Sequence, residues 1–140
     1  MVVGGADAKK QAYLDELQNN VQQQGLTDNI TFVGHRSDIR EWLALSDVVL
    51  SLSNQAETFG RTALEALSVG TPVIGWKRGG VAEILSEVYP QGLIEVDDTT
   101  SLLHCVQQHI EQPVNIAPVT QFSLHDMCQN TLALYAEILK

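Results

Sequence analysis

Basic residues are scarce in this chain: 8 Lys and Arg stand against 17 Asp and Glu in 140 residues, for a net charge of −9. Nucleic acid and anionic membrane surfaces both select a basic face, so neither is expected as a partner. Cysteine is nearly absent. The two thiols, Cys105 and Cys128, fall on helical patterns without metal or redox spacing. That excludes a disulfide framework or a thiolate metal centre and suits a reducing cytoplasm. His104, His109 and His125 also lie on helical patterns with no ligand spacing, so no metal site is expected. No apolar run reaches the roughly 20 residues that cross a bilayer. Val48–Leu52 has the length of a buried strand, and the N-terminus lacks the charged-then-apolar pattern of a leader.

What remains is a chain of single-domain size, expected to form one domain over residues 1–140. Short β-rich runs alternate with helical patterns, which predicts an α/β fold with a parallel sheet. Strands are expected at Met1–Gly4, Ile30–Val33, Val48–Leu52, Pro72–Gly75 and Leu93–Val96. A first helix is expected from about Lys9 to Gln24, with Leu14, Leu17 and Val21 as its apolar stripe and Gly25 ending it. Ser37 suits the cap of a short helix through Leu45, and the helix carrying Glu65 is expected to stop at Gly70 before Pro72. Helices are also expected at Val81–Glu87 and Ser101–Gln112, followed by an irregular connection to Gln121. Ser123 with Asp126 reads as a capping-box-like start to a last helix, whose Leu124, Met127, Cys128, Leu132, Tyr135, Ala136 and Leu139 mark one apolar face.

The most informative stretch runs from Ser53 to Ile74. It reads as a strand exit, a loop with Glu57, the Phe59-Gly60-Arg61-Thr62 turn, and a helix carrying Glu65. Bare N–H groups at a helix start, together with the helix dipole, favour a phosphate, and Gly60 lets backbone approach closely. Two carboxylates flanking that point supply hydrogen-bond acceptors for hydroxyls. Phosphate between hydroxyl-rich groups describes a nucleotide sugar. Each residue also has a plainer explanation. Glu65 suits a helix start on electrostatic grounds alone, Glu57 suits any solvated loop, Phe59 suits a loop anchor, and Arg61 suits either phosphate or solvent. With so acidic a chain, any positive charge at a phosphate must be local, from Arg36, Arg61, Lys77 and Arg78.

Glu57 and Glu65 in this setting resemble the E-x7-E signature of the retaining, GT-B-type glycosyltransferases of family 4. Four further segments resemble the same family in the same order: Val2-Val3-Gly4-Gly5, Ile30 to His35, the Gly79-Gly80-x-x-Glu83 turn, and the helix from Phe122 to Lys140. The resemblance implies a Rossmann-like sheet with helices on both faces, the donor-binding half of a two-domain enzyme. It implies that Glu65 accepts the ribose hydroxyls and that Glu57, the catalytic carboxylate, contacts the transferred sugar near its anomeric carbon. Backbone N–H groups of Phe59 to Thr62 would hold the diphosphate, and Gly34-His35-Arg36 would shelter the base. Glu83 stays open between a helix-start charge and a role in sensing ligand. Arg61 and the Lys77-Arg78 pair depart from the family's usual pattern.

The resemblance starts at the family's second strand. The acceptor domain and the Arg/Lys pair that neutralises the diphosphate therefore fall outside it, and this piece is expected to be inactive alone. The expected activity of the whole is transfer of a sugar from a nucleotide diphosphate sugar to a glycan, lipid or small acceptor, in the cytoplasm, without a metal or other cofactor. A peripheral position of the whole at a membrane stays open. The rivals are a GT-B-type sugar-nucleotide epimerase and a non-enzymatic nucleotide-sugar-binding module. In the family's strand order the first strand is central, so its absence leaves a gap in the sheet. Either Met1–Gly4 pairs directly with Val48–Leu52, or a second copy fills the gap and the chain self-associates.

Overall fold

The computed structural model describes residues 1–5 and 10–139. It divides into two compact units, Met1–Ile39 and Arg40–Lys140. The chain runs β1 (Val2–Val3), α1 (Gln11–Gln23), β2 (Phe32–Gly34), α2 (Ile39–Ala44), β3 (Val49–Ser51), α3 (Arg61–Ser68), β4 (Val73–Trp76), α4 (Gly79–Val88), a 3-10 turn at Pro90–Gly92, β5 (Leu93–Ile94), α5 (Thr99–Glu111) and α6 (Leu124–Ile138). Helices and parallel strands alternate as the sequence predicts. Lys9, the expected start of α1, and Lys140 lie outside the described residues.

In the first unit β1 pairs parallel with β2, Val2 opposite Phe32 and Val3 opposite Gly34, with a register irregularity between them. In the second unit β4 lies between β3 and β5, all parallel. Val49, Leu50 and Ser51 face Val73, Ile74 and Gly75, and Gly75 and Trp76 face Leu93 and Ile94. Within each set the neighbours are those that the resemblance implies. The expected direct pairing of Met1–Gly4 with Val48–Leu52 does not form. Among the described residues β1 pairs with β2 alone; the Val2 N–H donates to Thr31 O at 2.8 Å and the N–H of Gly4, just after the strand, to Gly34 O at 2.9 Å.

Every residue of β4 is buried, as befits a strand with neighbours on both edges and helices over both faces. Successive side chains alternate between faces. Ile74 and Trp76 pack with Ile94 and with Cys105 of α5. On the opposite face α4 presses so closely that a side chain on Gly75 would meet Val81 Cγ1 at 2.8 Å. Ala63, Ala66 and Leu67 of α3 are wholly buried with Val73, Ile84 and Leu85. Burying each of the larger ones contributes about 1.5–3 kcal/mol relative to exposure.

Beside this core sits a polar knot. Tyr89, at the end of α4, and His109, on α5, are both buried, and Tyr89 Oη lies 2.8 Å from His109 Nε2. His109 Nδ1 lies 2.7 Å from the Cys105 carbonyl. A carbonyl only accepts, so in the neutral ring Nδ1 carries the proton and Nε2 receives the phenol's. Tyr89→Phe leaves Nε2 buried without its donor and is expected to cost about 1–3 kcal/mol in urea unfolding. Burial also raises the Tyr89 phenol above its ordinary value. The folded state then holds that proton where the unfolded chain has lost it. Stability therefore falls as pH climbs past about 10, and the Phe variant lacks this tyrosine contribution.

The last helix starts as the capping pattern predicts, with Ser123 Oγ accepting from the Asp126 N–H at 3.1 Å. Its apolar face, by contrast, is uncovered: Leu124, Met127, Leu132, Tyr135 and Leu139 are all exposed.

Candidate functional site

The loop between β3 and α3 is built against the start of α4. Gly80 N–H donates to the Glu57 carbonyl at 2.8 Å, capping α4 with loop backbone. A Cβ on Gly79 would stand 2.6 Å from Glu57 O, and one on Gly80 would stand 2.4 Å from Phe59 C and 2.5 Å from its Cα. Gly79 also has φ +59°, a conformation glycine adopts freely. The two glycines are therefore a close backbone-to-backbone contact that fixes where Glu57 leaves the loop. They form the first turn of α4 rather than a turn ahead of it, so the helix starts at Gly79, two residues before the expected Val81. Glu83 accordingly lies beyond the first turn, which carries no acid.

The N-terminus of α3 is made by similar packing. Gly60 caps it in the left-handed conformation, φ +82° and ψ +43°, with no side-chain cap. A Cβ there would meet Val81 N and Cγ2 at 3.0 Å. The amides that open a helix have no partners within it, and here no side chain supplies one. Arg61 and Thr62 form the first exposed positions, and Glu65 follows in the second turn, beyond the reach of a simple first-turn charge effect.

Glu57 is exposed and lines a recess at the end of β3 with Ser51, Ser53, Gln55, Trp76, Arg78 and Val81. Gly60–Thr62 and Glu65 are not on its wall, and Val81 joins the two places by touching both. Ser53, Gln55 and Trp76 are site residues that the sequence did not single out. A serine and a glutamine directly after a strand gave a weak signal, and Gln55 N–H does donate to Ser53 Oγ at 3.2 Å. Phe59 is neither buried nor isolated, at 46% exposure, with its ring edge-on to Phe122 at a centroid distance of 6.3 Å.

The basic residues are placed as follows. Arg78 donates from Nη1 to the Asn54 carbonyl, bracing the loop. Lys77 Nζ pairs with Glu95 at 2.6 Å. Arg61 Nη2 reaches Glu65 Oε1 at a long 3.4 Å. In the first unit Arg36 makes a two-pronged contact with Asp38 at 2.7 and 2.8 Å, which holds its guanidinium above the ordinary value. In the same unit Gly34 has φ +70°, and exposed His35 packs its Cβ about 3.2 Å from where a side chain on Gly5 would start. Gly34, His35 and Arg36 thus belong to the first unit and Glu57 through Glu65 to the second. Among the described residues no group of three His, Cys, Asp or Glu could hold a metal ion. Among them, too, no helix is long and apolar enough to cross a membrane.

The family model described as Glycosyl transferases group 1 matches residues 1–120. The chain belongs to that family. Among relatives of this group 1 chain, the N-acetyl-alpha-D-glucosaminyl L-malate synthase of Bacillus anthracis is 38% identical over 82 residues, 59% of this chain and 21% of that protein. The lipopolysaccharide core biosynthesis mannosyltransferase LpcC of Rhizobium leguminosarum is 29% identical over 113 residues, 81% of this chain and 32% of that one. Among solved structures, Anabaena HepE in complex with UDP and glucose matches with a TM-score of 0.71 at 32% identity, over 79% of this chain and 30% of that one. A glycosyltransferase from Rickettsia africae shares the fold, with a TM-score of 0.81 at 22% identity, over 99% of this chain and 40% of that one. The group 1 chain thus spans between a fifth and two fifths of the length of these proteins.

Proposed function

We propose that this chain is the donor-binding part of a retaining glycosyltransferase that moves a sugar from a nucleotide diphosphate sugar to a glycan, lipid or small acceptor. The observation that carries the reading is the junction of α3, α4 and the Glu57 loop. Two glycines lock the loop backbone to α4, Val81 and Gly60 lock α4 to the start of α3, and the result presents Glu57, a helix start without a side-chain cap and Glu65 in succession. The helix start takes the diphosphate through its unpartnered amides and dipole. Glu65 accepts from the ribose hydroxyls, and Glu57 orients the sugar and stabilises positive charge near its anomeric carbon. The neighbour solved with UDP and glucose supports the same class of ligand. The donor is held by this chain's own groups, without a metal, and the setting is cytoplasmic.

Titration calorimetry with UDP, GDP and ADP tests the reading. At least one should bind, and Glu65→Gln should weaken it about tenfold or more, the worth of a hydrogen bond to a charged group. Equal binding by native protein and Glu65→Gln would leave Glu65 without a role in holding the ribose.

A further inference from the structure

Arg61 stands where helix physics disfavours it. It is the first residue of α3, at the positive end of the dipole, in a first turn with no acid and no side-chain cap. Its order relative to Glu65, cation before anion, is the poorer orientation for a pair four residues apart. The pair is stretched to 3.4 Å and touches a single carboxylate oxygen, and the Arg61 side chain is 82% exposed. Exposed pairs of this kind are weak and easily exchanged. The other cations nearby are committed more closely: Lys77 to Glu95 at 2.6 Å, and Arg78 to the carbonyl of Asn54. In a chain of net charge −9 this leaves Arg61 as the cation best placed to change partner at an open helix start.

We propose that Arg61 is an exchanging cation of the donor site: it holds Glu65 when the site is empty and passes to the diphosphate when a nucleotide binds, releasing Glu65 for the ribose hydroxyls. This rests on the proposed donor site and adds to it a residue and an order of events. A guanidinium is suited to the exchange because its fork donates to a carboxylate or a phosphate with the same geometry. The exchange also makes the carboxylate and the phosphate rivals for one partner. The rivalry separates the proposal from simple charge attraction, because Glu65 helps a ligand that carries ribose and hinders one that does not.

Two probes read this out by calorimetry or NMR titration of the chain: the tightest binder among UDP, GDP and ADP, and metal-free inorganic pyrophosphate. Arg61→Gln should weaken both by about tenfold, Arg61→Lys should recover part of the loss, and the thermal midpoint should stay unchanged because the side chain is exposed. Glu65→Gln should weaken the nucleotide yet bind pyrophosphate at least as tightly as native protein. Native-like binding of both probes by Arg61→Gln overturns the proposal. If Glu65→Gln still weakens the nucleotide in that case, the donor-site reading stands. Failure of native protein to bind any of the three nucleotides overturns both.

Discussion

On the proposed function, Glu57→Gln in an enzyme that contains this chain is expected to lower the turnover of sugar transfer by about a hundredfold or more, with a far smaller change in donor KM. The amide matches the carboxylate in shape and removes the charge. In the proposed donor site that charge faces positive charge that develops near the anomeric carbon as the glycosidic bond to phosphate breaks, so the loss falls on the transition state more than on the ground state. The fold should be indifferent to the change. Glu57 is exposed, and the loop is positioned through its backbone, by the Gly80 N–H on the Glu57 carbonyl and by the contacts of Gly79 and Gly80. Steady-state kinetics beside a thermal melt separate the outcomes. A turnover within threefold of native at an unchanged midpoint would remove Glu57 from the chemistry.

The local frame of the candidate site was legible in the sequence because its signals are local. A glutamate in a strand-exit loop, a glycine, and a second glutamate inside the following helix can be read from spacing alone, and the helix does begin at Arg61 after Gly60. Which strands are neighbours within each sheet followed from the family resemblance. What stayed hidden depends on partners distant in the chain. Gly79-Gly80 reads as a turn, because glycine pairs usually are. Only the approach of Phe59 and Glu57 shows that the pair opens a helix and why no side chain fits there. Lys77 and Arg78 read as spare positive charge, and the fold commits them to Glu95 and Asn54. His109 reads as a residue on a helix, and its link to Tyr89 needs the turn at Pro90–Gly92 to bring α4 and α5 together. In α6 periodicity marks which face is apolar, but periodicity says nothing of what covers it, and in this chain that face is exposed.

Gly80→Ala is expected to be the most disruptive single-methyl change near the site. The new Cβ would lie 2.4 Å from Phe59 C and 2.5 Å from its Cα and O, all of them backbone atoms that cannot rotate away. Either α4 or the loop must shift, and the 2.8 Å bond from Gly80 N–H to Glu57 O goes with it. Overpacking of a close-packed contact typically costs about 1–3 kcal/mol, and a clash with backbone on both sides puts this one at about 3 kcal/mol or more in urea unfolding. Helix propensity acts the other way, since alanine is favoured over glycine inside a helix by about 1 kcal/mol. A variant as stable as native would therefore mean that the contact yields easily. The functional consequence is separable from the stability loss. At a temperature where the variant remains folded, it should still bind nucleotide poorly, because the displaced segment is the one that carries Glu57 into Gly60 and the start of α3. Gly25→Ala serves as the control. It sits at φ +68° with nothing within 4 Å of its new methyl, so it incurs backbone strain without touching the junction. It should lose some stability and keep its affinity.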